Sequence, residues 1–424
     1  MNRSIILLLS LLLPSAVWGG GLPTATPEEV GMSTERLQRL EQIMQGYVDA
    51  ERMAGSVVLV ARNGKIVFLE TVGMQDIEAG IPLRPDTIMR VASMTKAVTT
   101  VSAMMLYEQG LFRVNDPISN YLPEFSDMKV FVESNGTGTI SVVDAEAPIT
   151  IFNLLTHTSG FSYGRRPEHV AAAYREAEVG SGGLSMQEGT LEDAMKRLAQ
   201  VPLVHQPGER FTYGFSTDVL GYLVEVVSGQ TLEKFFEEHI FEPLEMDDTH
   251  FFLPDSKVDR MGPLYGYTSD AGLTRHPEAV VNIDGTEVTP HHPYSGPRSF
   301  FSGGGGLNTT IEDYSRFLQM LLNGGELDGV RLLSRKTVEL MTADHLKDRP
   351  RGGFGFGFRV TRDVADSRQL GSVGAYGWGS AFYGDYFVDP NEQVVAIALG
   401  QLMPAGGVDL LAKYSDLVYQ SIVD

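Results

Sequence analysis

Strand-forming patterns in this chain lie near its two ends, and a long stretch of helical and irregular patterns separates them. Residues 55–62 and 65–72 are apolar runs joined by Asn63-Gly64, which is a strong signal for a tight β-hairpin. Further strand patterns come late in the chain, at residues 353–360, 381–388 and 393–399. A single sheet that takes strands from both ends leaves the middle of the chain as an insertion.

The predicted fold class is therefore α+β, with an antiparallel sheet built from both chain ends and flanked by helices. Residues 20–109 and 300–424 form the predicted α/β domain, and residues 110–299 form a mostly helical inserted region with loop insertions. Residues 126–148 and 255–298 show little periodicity, which predicts long excursions. Helices are predicted at residues 33–52, 93–108, 150–155, 190–200, 217–228, 232–239 and 408–422.

The first residues have the pattern of a secretory signal peptide. Arg3 supplies a positive charge, residues 5–13 are almost entirely apolar, and residues 14–19 are rich in small side chains. The apolar run is shorter than the roughly 20 residues that span a bilayer. We therefore expect residues 1–19 to be removed and the mature protein to be periplasmic or secreted, without stable membrane insertion. An uncleaved anchor is the alternative.

Acidic residues outnumber basic ones, 54 Asp and Glu against 33 Lys and Arg, which gives a formal net charge of −21. This charge argues against nucleic acid as a partner and against binding to anionic membranes. The lack of cysteine excludes disulfides, a thiol nucleophile and cysteine-ligated metals. Because His291 and His292 lack metal-ligand spacing, we predict neither a metal nor a cofactor. The oligomeric state is left open.

The strongest chemical signal is Ser93-Met94-Thr95-Lys96 at the start of a predicted helix. Positions three apart share a helix face, so the Lys96 amine can lie against the Ser93 hydroxyl. Helix N-termini also favour a developing negative charge. A poorly solvated Lys96 would lose its charge easily and take the proton of a nucleophilic Ser93. Taken alone, the four residues favour an N-cap serine followed by a solvated lysine.

Six segments, in order, resemble the serine β-lactamases and penicillin-binding proteins. The similarity is closest to the class C β-lactamase-like esterases known as family VIII carboxylesterases, and it implies a β-lactamase/transpeptidase-like fold. It covers nearly all of the chain after the signal peptide. The matching segments are residues 91–97, 116–123, 154–160, 207–213, 302–307 and 374–380.

The resemblance implies that Tyr213 completes a proton relay with Ser93 and Lys96. The Lys96 charge would favour the phenolate of Tyr213, which would serve Ser93 and later the deacylating water. The backbone N–H groups of Ser93 and Ser380 would form the oxyanion hole. An ordinary buried tyrosine is the alternative for Tyr213.

Two departures from the family pattern predict the substrate class. The related β-lactamases carry Tyr-x-Asn where this chain has Tyr213-Gly214-Phe215, and Lys-Thr-Gly where it has Trp378-Gly379-Ser380. Losing an amide and a cation favours neutral, apolar esters over anionic β-lactams. The predicted substrate-binding residues are Tyr376, Trp378, Gly379, Phe215 and Ser162. We expect Phe354, Phe356 and Phe358, which alternate with glycine, to share one strand face and to pack in the core.

Ser162 and His157 allow other interpretations of the site. Gly160-Phe161-Ser162-Tyr163-Gly164 fits the α/β-hydrolase nucleophile motif, but a helical pattern precedes it and a loop pattern follows, so we expect Ser162 to lie in a loop. His157 fits a buried structural histidine.

The leading function is an esterase that forms an acyl-enzyme on Ser93 with a small-molecule ester. A peptidoglycan or D-amino-acid peptidase, or a weak β-lactamase, would need a cation such as Arg298. A catalytically silent binding protein would need none of the three catalytic residues.

Overall fold

The computed structural model describes residues 21–133, 140–283, 285–347, 349 and 352–424. The predicted signal peptide, residues 1–19, lies outside these ranges. No helix among the described residues combines the length and the apolar character that a membrane span requires.

An eight-stranded sheet dominates the fold. Its strands are β1 (Gly55–Arg62), β2 (Lys65–Asp76), β3 (Ile81–Pro82), β4 (Gly353–Phe354), β5 (Arg359–Val360), β6 (Tyr376–Ser380), β7 (Gly384–Asp389) and β8 (Val394–Gly400). Their order in the sheet is β4-β5-β6-β7-β8-β1-β2-β3, and every neighbouring pair is antiparallel.

The two ends of the chain meet between β1 and β8, where Val58 lies opposite Ala398. β1 turns into β2 through Asn63 and Gly64, which have positive φ angles of 54° and 72°. Asn and Gly adopt this left-handed region at low cost, which is why the pair closes a hairpin. The predicted α+β fold with a sheet built from both chain ends is confirmed.

The sheet separates two apolar layers. Val57 and Leu59 of β1 belong to the larger core, whereas Val58 and Val60 belong to the smaller core on the opposite face. This division follows from the strand period of two, because successive side chains point to opposite faces. All eight residues of β1 are buried, as expected of a strand covered on both sides.

Helices cover both faces of the sheet. The smaller core is closed by α1 (Thr34–Asp49) and α11 (Leu410–Gln420), and the larger core contains α2 (Thr95–Glu108), α6 (Ser216–Ser228) and α8 (Ile311–Leu322). Thr150 and Thr190 cap the helices that follow them, each accepting a hydrogen bond from a backbone N–H three residues on. The helices are α1 (Thr34–Asp49), α2 (Thr95–Glu108), α3 (Ile151–Leu155), α4 (Glu168–Glu176), α5 (Leu191–Leu198), α6 (Ser216–Ser228), α7 (Leu232–Phe236), α8 (Ile311–Leu322), α9 (Arg335–Thr342), α10 (Val364–Ser367) and α11 (Leu410–Gln420).

The region 110–299 contains short hairpins as well as helices. One hairpin pairs Lys129–Glu133 with Ile140–Asp144 inside the first predicted excursion. Two more lie inside the second excursion, where Tyr265–Thr268 pairs with Gly272–Arg275, and Val281–Ile283 with Thr286–Val288.

The prediction of one strand over residues 353–360 is wrong. The segment folds back on itself as the β4–β5 hairpin, with Gly357 in the turn at a φ of 78°. Phe354, Phe356 and Phe358 therefore do not share one strand face, although all three are buried as expected. The alternating glycines that suggested a strand instead supply the conformational freedom of a turn.

Deleting part of a β1 side chain should destabilise the whole protein. Leu59 has no exposed surface, so Leu59→Ala is expected to lower the free energy of unfolding by about 2–5 kcal/mol through lost burial and a cavity. Urea unfolding followed by circular dichroism measures this change. Leu111→Ala is the matched control, because Leu111 is 45% exposed, and its effect should stay within about 0.5 kcal/mol. Equal losses in both variants would contradict the two-layer core.

Candidate active site

A cleft of about 360 Å³ opens between the start of α2 and strand β6. It brings together side chains and backbone from segments that are far apart in the sequence. Its lining includes Ser93, Tyr163, Arg165, Tyr213, Asp218, Gly304, Arg359, Trp378, Gly379 and Ser380.

Ser93 lies in a single 3₁₀ turn, Ala92–Met94, immediately before α2. Ala92 has a φ of 40°, a strained value for a residue with a Cβ, and it is buried. Hydrogen bonds from two other segments hold the turn: Tyr314 Oη donates to the Met94 carbonyl at 2.9 Å, and Leu307 N donates to Thr95 Oγ1 at 3.0 Å. The nucleophile candidate is therefore presented by a fixed backbone.

Lys96 lies one turn further along, and only 1% of it is exposed. Its Nζ donates to Ser93 Oγ at 3.3 Å, to Tyr163 Oη at 3.0 Å and to the Gly304 carbonyl. An ammonium group has three protons to donate, so these three acceptors match its charged form. The predicted contact between Ser93 and Lys96 is present in the structure.

The charge of Lys96 follows from its neighbours rather than from burial. Burial by itself lowers the pKa of Lys96, but Tyr163, Tyr213 and Asp218 act in the other direction and the pKa is raised overall. The structure therefore favours an ammonium at neutral pH, the reverse of the neutral amine that burial alone suggested. As an ammonium, Lys96 orients the Ser93 hydroxyl and places a positive charge beside it.

The glycine-rich segment after Ser302 packs directly on α2, the helix that carries Lys96. Gly304 gives its carbonyl to Lys96, and its N–H donates to Asp218 Oδ1 at 3.1 Å. A Cβ at Gly304 would lie 2.3 Å from Asp218 Oδ2, and one at Gly303 would lie 2.8 Å from the Thr217 carbonyl. Glycine is required here because two backbones and a carboxylate approach closely.

Asp218 is a fully buried carboxylate beside this site, and Ser302 Oγ also donates to its Oδ1. Burial raises the pKa of Asp218, although the bond from Ser302 and the charge of Lys96 oppose that rise. Its role visible in the structure is to hold the Gly304 peptide that faces Lys96.

Tyr213 stands on the other side of Lys96. The Lys96 Nζ lies 4.8 Å from the centroid of the Tyr213 ring, and Trp378 Nε1 donates to Tyr213 Oη at 3.2 Å. The structure thus brings Ser93, Lys96 and Tyr213 together in one cleft, with Trp378 orienting the phenol.

Tyr163 is a second phenol that the sequence analysis missed. Its Oη accepts a hydrogen bond from Lys96 Nζ at 3.0 Å. Burial raises the pKa of Tyr163, and the neighbouring Lys96 opposes the rise, so this side chain is a neutral phenol at neutral pH. Tyr163 directly follows Ser162 in the Gly-x-Ser-x-Gly segment, but nothing in that pattern distinguishes it from an ordinary loop residue.

The predicted substrate-binding residues divide into two groups. Trp378 and Gly379 line the cleft, as does Ser380, one of the two predicted oxyanion donors. Tyr376 and Phe215 are buried instead, Tyr376 against Phe358 at 5.2 Å and Phe215 against Tyr163 at 4.9 Å between ring centroids. The structure does not bring these two rings to the cleft surface, because both lie within the larger core.

Ser162 lies on the far side of the Tyr163 loop, where it lines a different groove. Its Oγ accepts from the Gly164 N–H at 3.1 Å, which stabilises the loop. The helix before it ends at Leu155 and the next begins at Glu168. The strand and helix that an α/β-hydrolase nucleophile requires do not flank Ser162.

His157 and Arg298 both lie outside the predicted proton relay. His157 is buried with its ring 4.9 Å from that of Tyr213, and burial lowers its pKa well below the usual value, so it packs as a neutral aromatic. Arg298 pairs with Asp255 at 3.0 Å and does not line the cleft. Among the residues that the structure describes, the arginines that line the cleft are Arg165 and Arg359.

Comparison with known proteins places the chain among relatives of similar length. A family model described as Beta-lactamase matches residues 40–420. Protein Rv1367c of Mycobacterium tuberculosis is 34% identical over 86% of this chain and 90% of its own length. Esterase EstB of Burkholderia gladioli is 28% identical, covering 83% and 86%. The solved structure of EstCE1, described as a hydrolase with promiscuous acyltransferase activity, superposes with a TM-score of 0.79 at 27% identity, covering 91% and 98%.

A methyl group at Gly304 should disable Ser93 without touching it. Gly304→Ala forces the peptide away from Asp218 and from Lys96, and a displacement of about 1 Å in such a site costs about 100-fold in reactivity. The rate of fluorophosphonate labelling of Ser93, mapped by peptide mass spectrometry, measures the effect. Gly305→Ala is the matched control, since its Cβ would be 3.8 Å from the nearest heavy atom. Similar labelling rates in both variants would contradict the role given to the Gly304 carbonyl.

Proposed function

This chain belongs to the β-lactamase family, and from that membership we propose that it is a serine hydrolase that cleaves short- to medium-chain carboxylic esters. The observation that carries the proposal is the contact of Ser93 Oγ with a buried Lys96 in a cleft walled by Trp378. An esterase and a hydrolase with acyltransferase activity among the relatives support the same reaction class.

In the proposed acylation step, Ser93 Oγ attacks the ester carbonyl carbon and its proton moves to the phenolate oxygen of Tyr213, which acts as the base beside the Lys96 ammonium. Lys96 stays an ammonium throughout this step, and its three acceptors hold it where it orients Ser93 Oγ. The carbonyl oxygen becomes negative and is held by the N–H groups of Ser93 and Ser380. The C–O bond then breaks, and the alcohol leaves with the proton.

Deacylation repeats the same steps with water. The water gives its proton to the relay and attacks the acyl carbon, and Ser93 leaves with that proton as the free hydroxyl. An alcohol in place of water would instead receive the acyl group. Transfer to an alcohol would use the same acyl-enzyme as hydrolysis, and EstCE1 is described as a hydrolase with promiscuous acyltransferase activity.

The proposed preference for esters over β-lactams rests on the cleft wall. Trp378 occupies the position where related β-lactamases carry a lysine, and its ring packs on Tyr213 at 5.3 Å between centroids. An indole offers apolar surface to an acyl or alkyl group and offers no charge to a carboxylate at that point. The alternative, a peptidase or weak β-lactamase, draws support from Arg165 and Arg359 in the cleft lining.

The first test concerns the nucleophile. Ser93→Ala is expected to abolish hydrolysis of p-nitrophenyl butyrate, because no other group in the relay can form the acyl-enzyme. Ser162→Ala should retain most of the activity, since Ser162 lies in another groove. Release of p-nitrophenol measures both variants. The opposite pattern would overturn the assignment of Ser93.

Nitrocefin turnover separates the two hydrolase classes with the same protein preparation. A higher kcat/KM for the butyrate ester than for nitrocefin supports the esterase. Faster nitrocefin turnover would favour the β-lactamase alternative and would leave the Ser93 assignment intact.

The second test asks which phenol moves the proton. Tyr213→Phe is expected to lower kcat by about 100- to 10,000-fold, the range lost with a general base. Tyr163→Phe removes one of three acceptors of Lys96 and should cost clearly less. Both changes keep the ring and delete one hydroxyl, so packing is matched between them. A larger loss in Tyr163→Phe would transfer the role of base to Tyr163.

A further inference from the structure

The buried positive charge of Lys96 needs a negative partner, and its hydrogen bonds do not supply one. Its three acceptors are the hydroxyl of Ser93, the neutral phenol of Tyr163 and the carbonyl of Gly304. Lys96 is also the second residue of α2, where the positive end of the helix dipole opposes an ammonium. Compensation for this charge must therefore come from another residue.

Asp218 is a buried carboxylate on the neighbouring helix, α6. It is the third residue of α6, in the first turn, where a negative charge is favoured. Its Oδ1 accepts from Ser302 Oγ at 2.5 Å and from Gly304 N at 3.1 Å, and both contacts suit an ionised oxygen. Its Oδ2 has no hydrogen-bond partner among the described residues, so its charge depends on a nearby cation for stabilisation.

Gly304 connects the two buried charges. Its carbonyl accepts from Lys96 Nζ, and its N–H donates to Asp218 Oδ1. The glycine-rich segment lies between the two helices, since Gly303 accepts from Thr99 of α2 and a Cβ on Gly303 would lie 2.8 Å from a carbonyl of α6. One residue thus separates the ammonium from the carboxylate, and each of its polar groups faces the charge of opposite sign.

We propose that Asp218 is the permanent counter-ion of Lys96 and that it acts on the reaction as a positioning residue, through Gly304 and the ammonium. This inference rests on the proposed ester hydrolysis. The phenolate of Tyr213 takes up the Ser93 proton during acylation, so its negative charge is absent while the acyl-enzyme forms. Asp218 takes no part in proton transfer, and its constant charge keeps Lys96 an ammonium that orients Ser93 at every stage.

A double-mutant cycle on stability tests the charge pairing without a substrate. Lys96→Met and Asp218→Asn each leave one buried charge unpaired, so each should lower the melting temperature. The double variant contains neither charge. We expect it to melt about 2 °C or more above the temperature that the sum of the two single losses gives. Differential scanning fluorimetry of the four purified proteins measures this coupling.

Asp313→Asn is the matched control for the cycle. Asp313 is also the third residue of its helix, α8, and is also buried. Its Oδ2 accepts from the backbone N–H of Asp248 and from the hydroxyl of Thr249. Its combination with Lys96→Met should lower the melting temperature additively. Additive losses for Asp218 as well, or equal coupling for both aspartates, would refute the ion pair.

Hydrolysis of p-nitrophenyl butyrate tests whether the pair matters for the reaction. Asp218→Asn removes the charge and keeps an oxygen that can accept from Ser302 and Gly304. It is expected to lower kcat by about tenfold or more and to change KM less, because Lys96 orients Ser93 rather than the ester. Ser302→Ala keeps the charge and removes one hydrogen bond, so it should cost clearly less. Equal losses in both variants would leave the carboxylate a purely structural contact and end the proposal.

The pH dependence of kcat/KM has a sign that a structural contact would not produce. Burial lowers the pKa of Lys96, and Tyr163, Tyr213 and Asp218 raise it. The nearby His157 is neutral. Without the Asp218 charge the pKa of Lys96 falls, so the ammonium is lost at a lower pH. The alkaline decline of kcat/KM should begin about one pH unit lower in Asp218→Asn. A decline at an unchanged pH would contradict the counter-ion.

Stability and turnover together separate this inference from the proposed hydrolysis. Coupling of Lys96 to Asp218 in a protein that cleaves no ester would refute the hydrolase and keep the counter-ion. Ester turnover in the unaltered protein, combined with additive melting temperatures in the cycle, would refute the counter-ion alone.

Discussion

A charged lysine without solvent is the constraint on which the centre of this molecule depends. Burying an ammonium is costly unless each of its protons meets an acceptor. The Lys96 Nζ finds these acceptors on the turn that carries Ser93, on the Tyr163 loop and on the glycine-rich segment. The buried Lys96 ammonium holds these three segments together, so the geometry of the cleft depends on the charge of Lys96.

Close packing around this cation explains the composition of its surroundings. Gly303 and Gly304 allow backbone to approach α2 and α6 to distances that a Cβ would forbid. Thr99 Oγ1 donates to the Gly303 carbonyl at 2.7 Å, and this bond links the glycine-rich segment to α2. Hydroxyls and glycines thus take the place of apolar side chains where the core meets the cleft.

Structural features that depend on residues close together in the sequence could be predicted. The Asn63-Gly64 hairpin and the Ser93–Lys96 contact are both set by neighbours within four residues, and both are present. Tyr163 could not be predicted, because its role arises from a contact 67 positions away in the chain. The charge state of Lys96 depends on the same distant groups, and so burial alone gave the wrong direction.

The wrong prediction of one strand over residues 353–360 has a similar origin. Residues 353–360 alternate glycine and phenylalanine, which fits a strand and a glycine turn equally well at the level of pattern. Only the pairing of Phe354 with Arg359 decides between them, and that pairing places Arg359 at the edge of β6 beside the cleft.

The pairing of β1 with β8 also sets the order in which the molecule can form. Val60 lies opposite Ala396, so a strand made early in synthesis waits for one made almost last. Contacts so distant in sequence fold slowly, because the entropy of closing the loop is lost before the pairing contributes. Until β8 arrives, β1 presents an unpaired apolar edge of the kind that aggregates. A chain shortened before residue 394 would therefore contain the intact Ser93 segment and still lack β8, the strand that joins the two halves of the sheet.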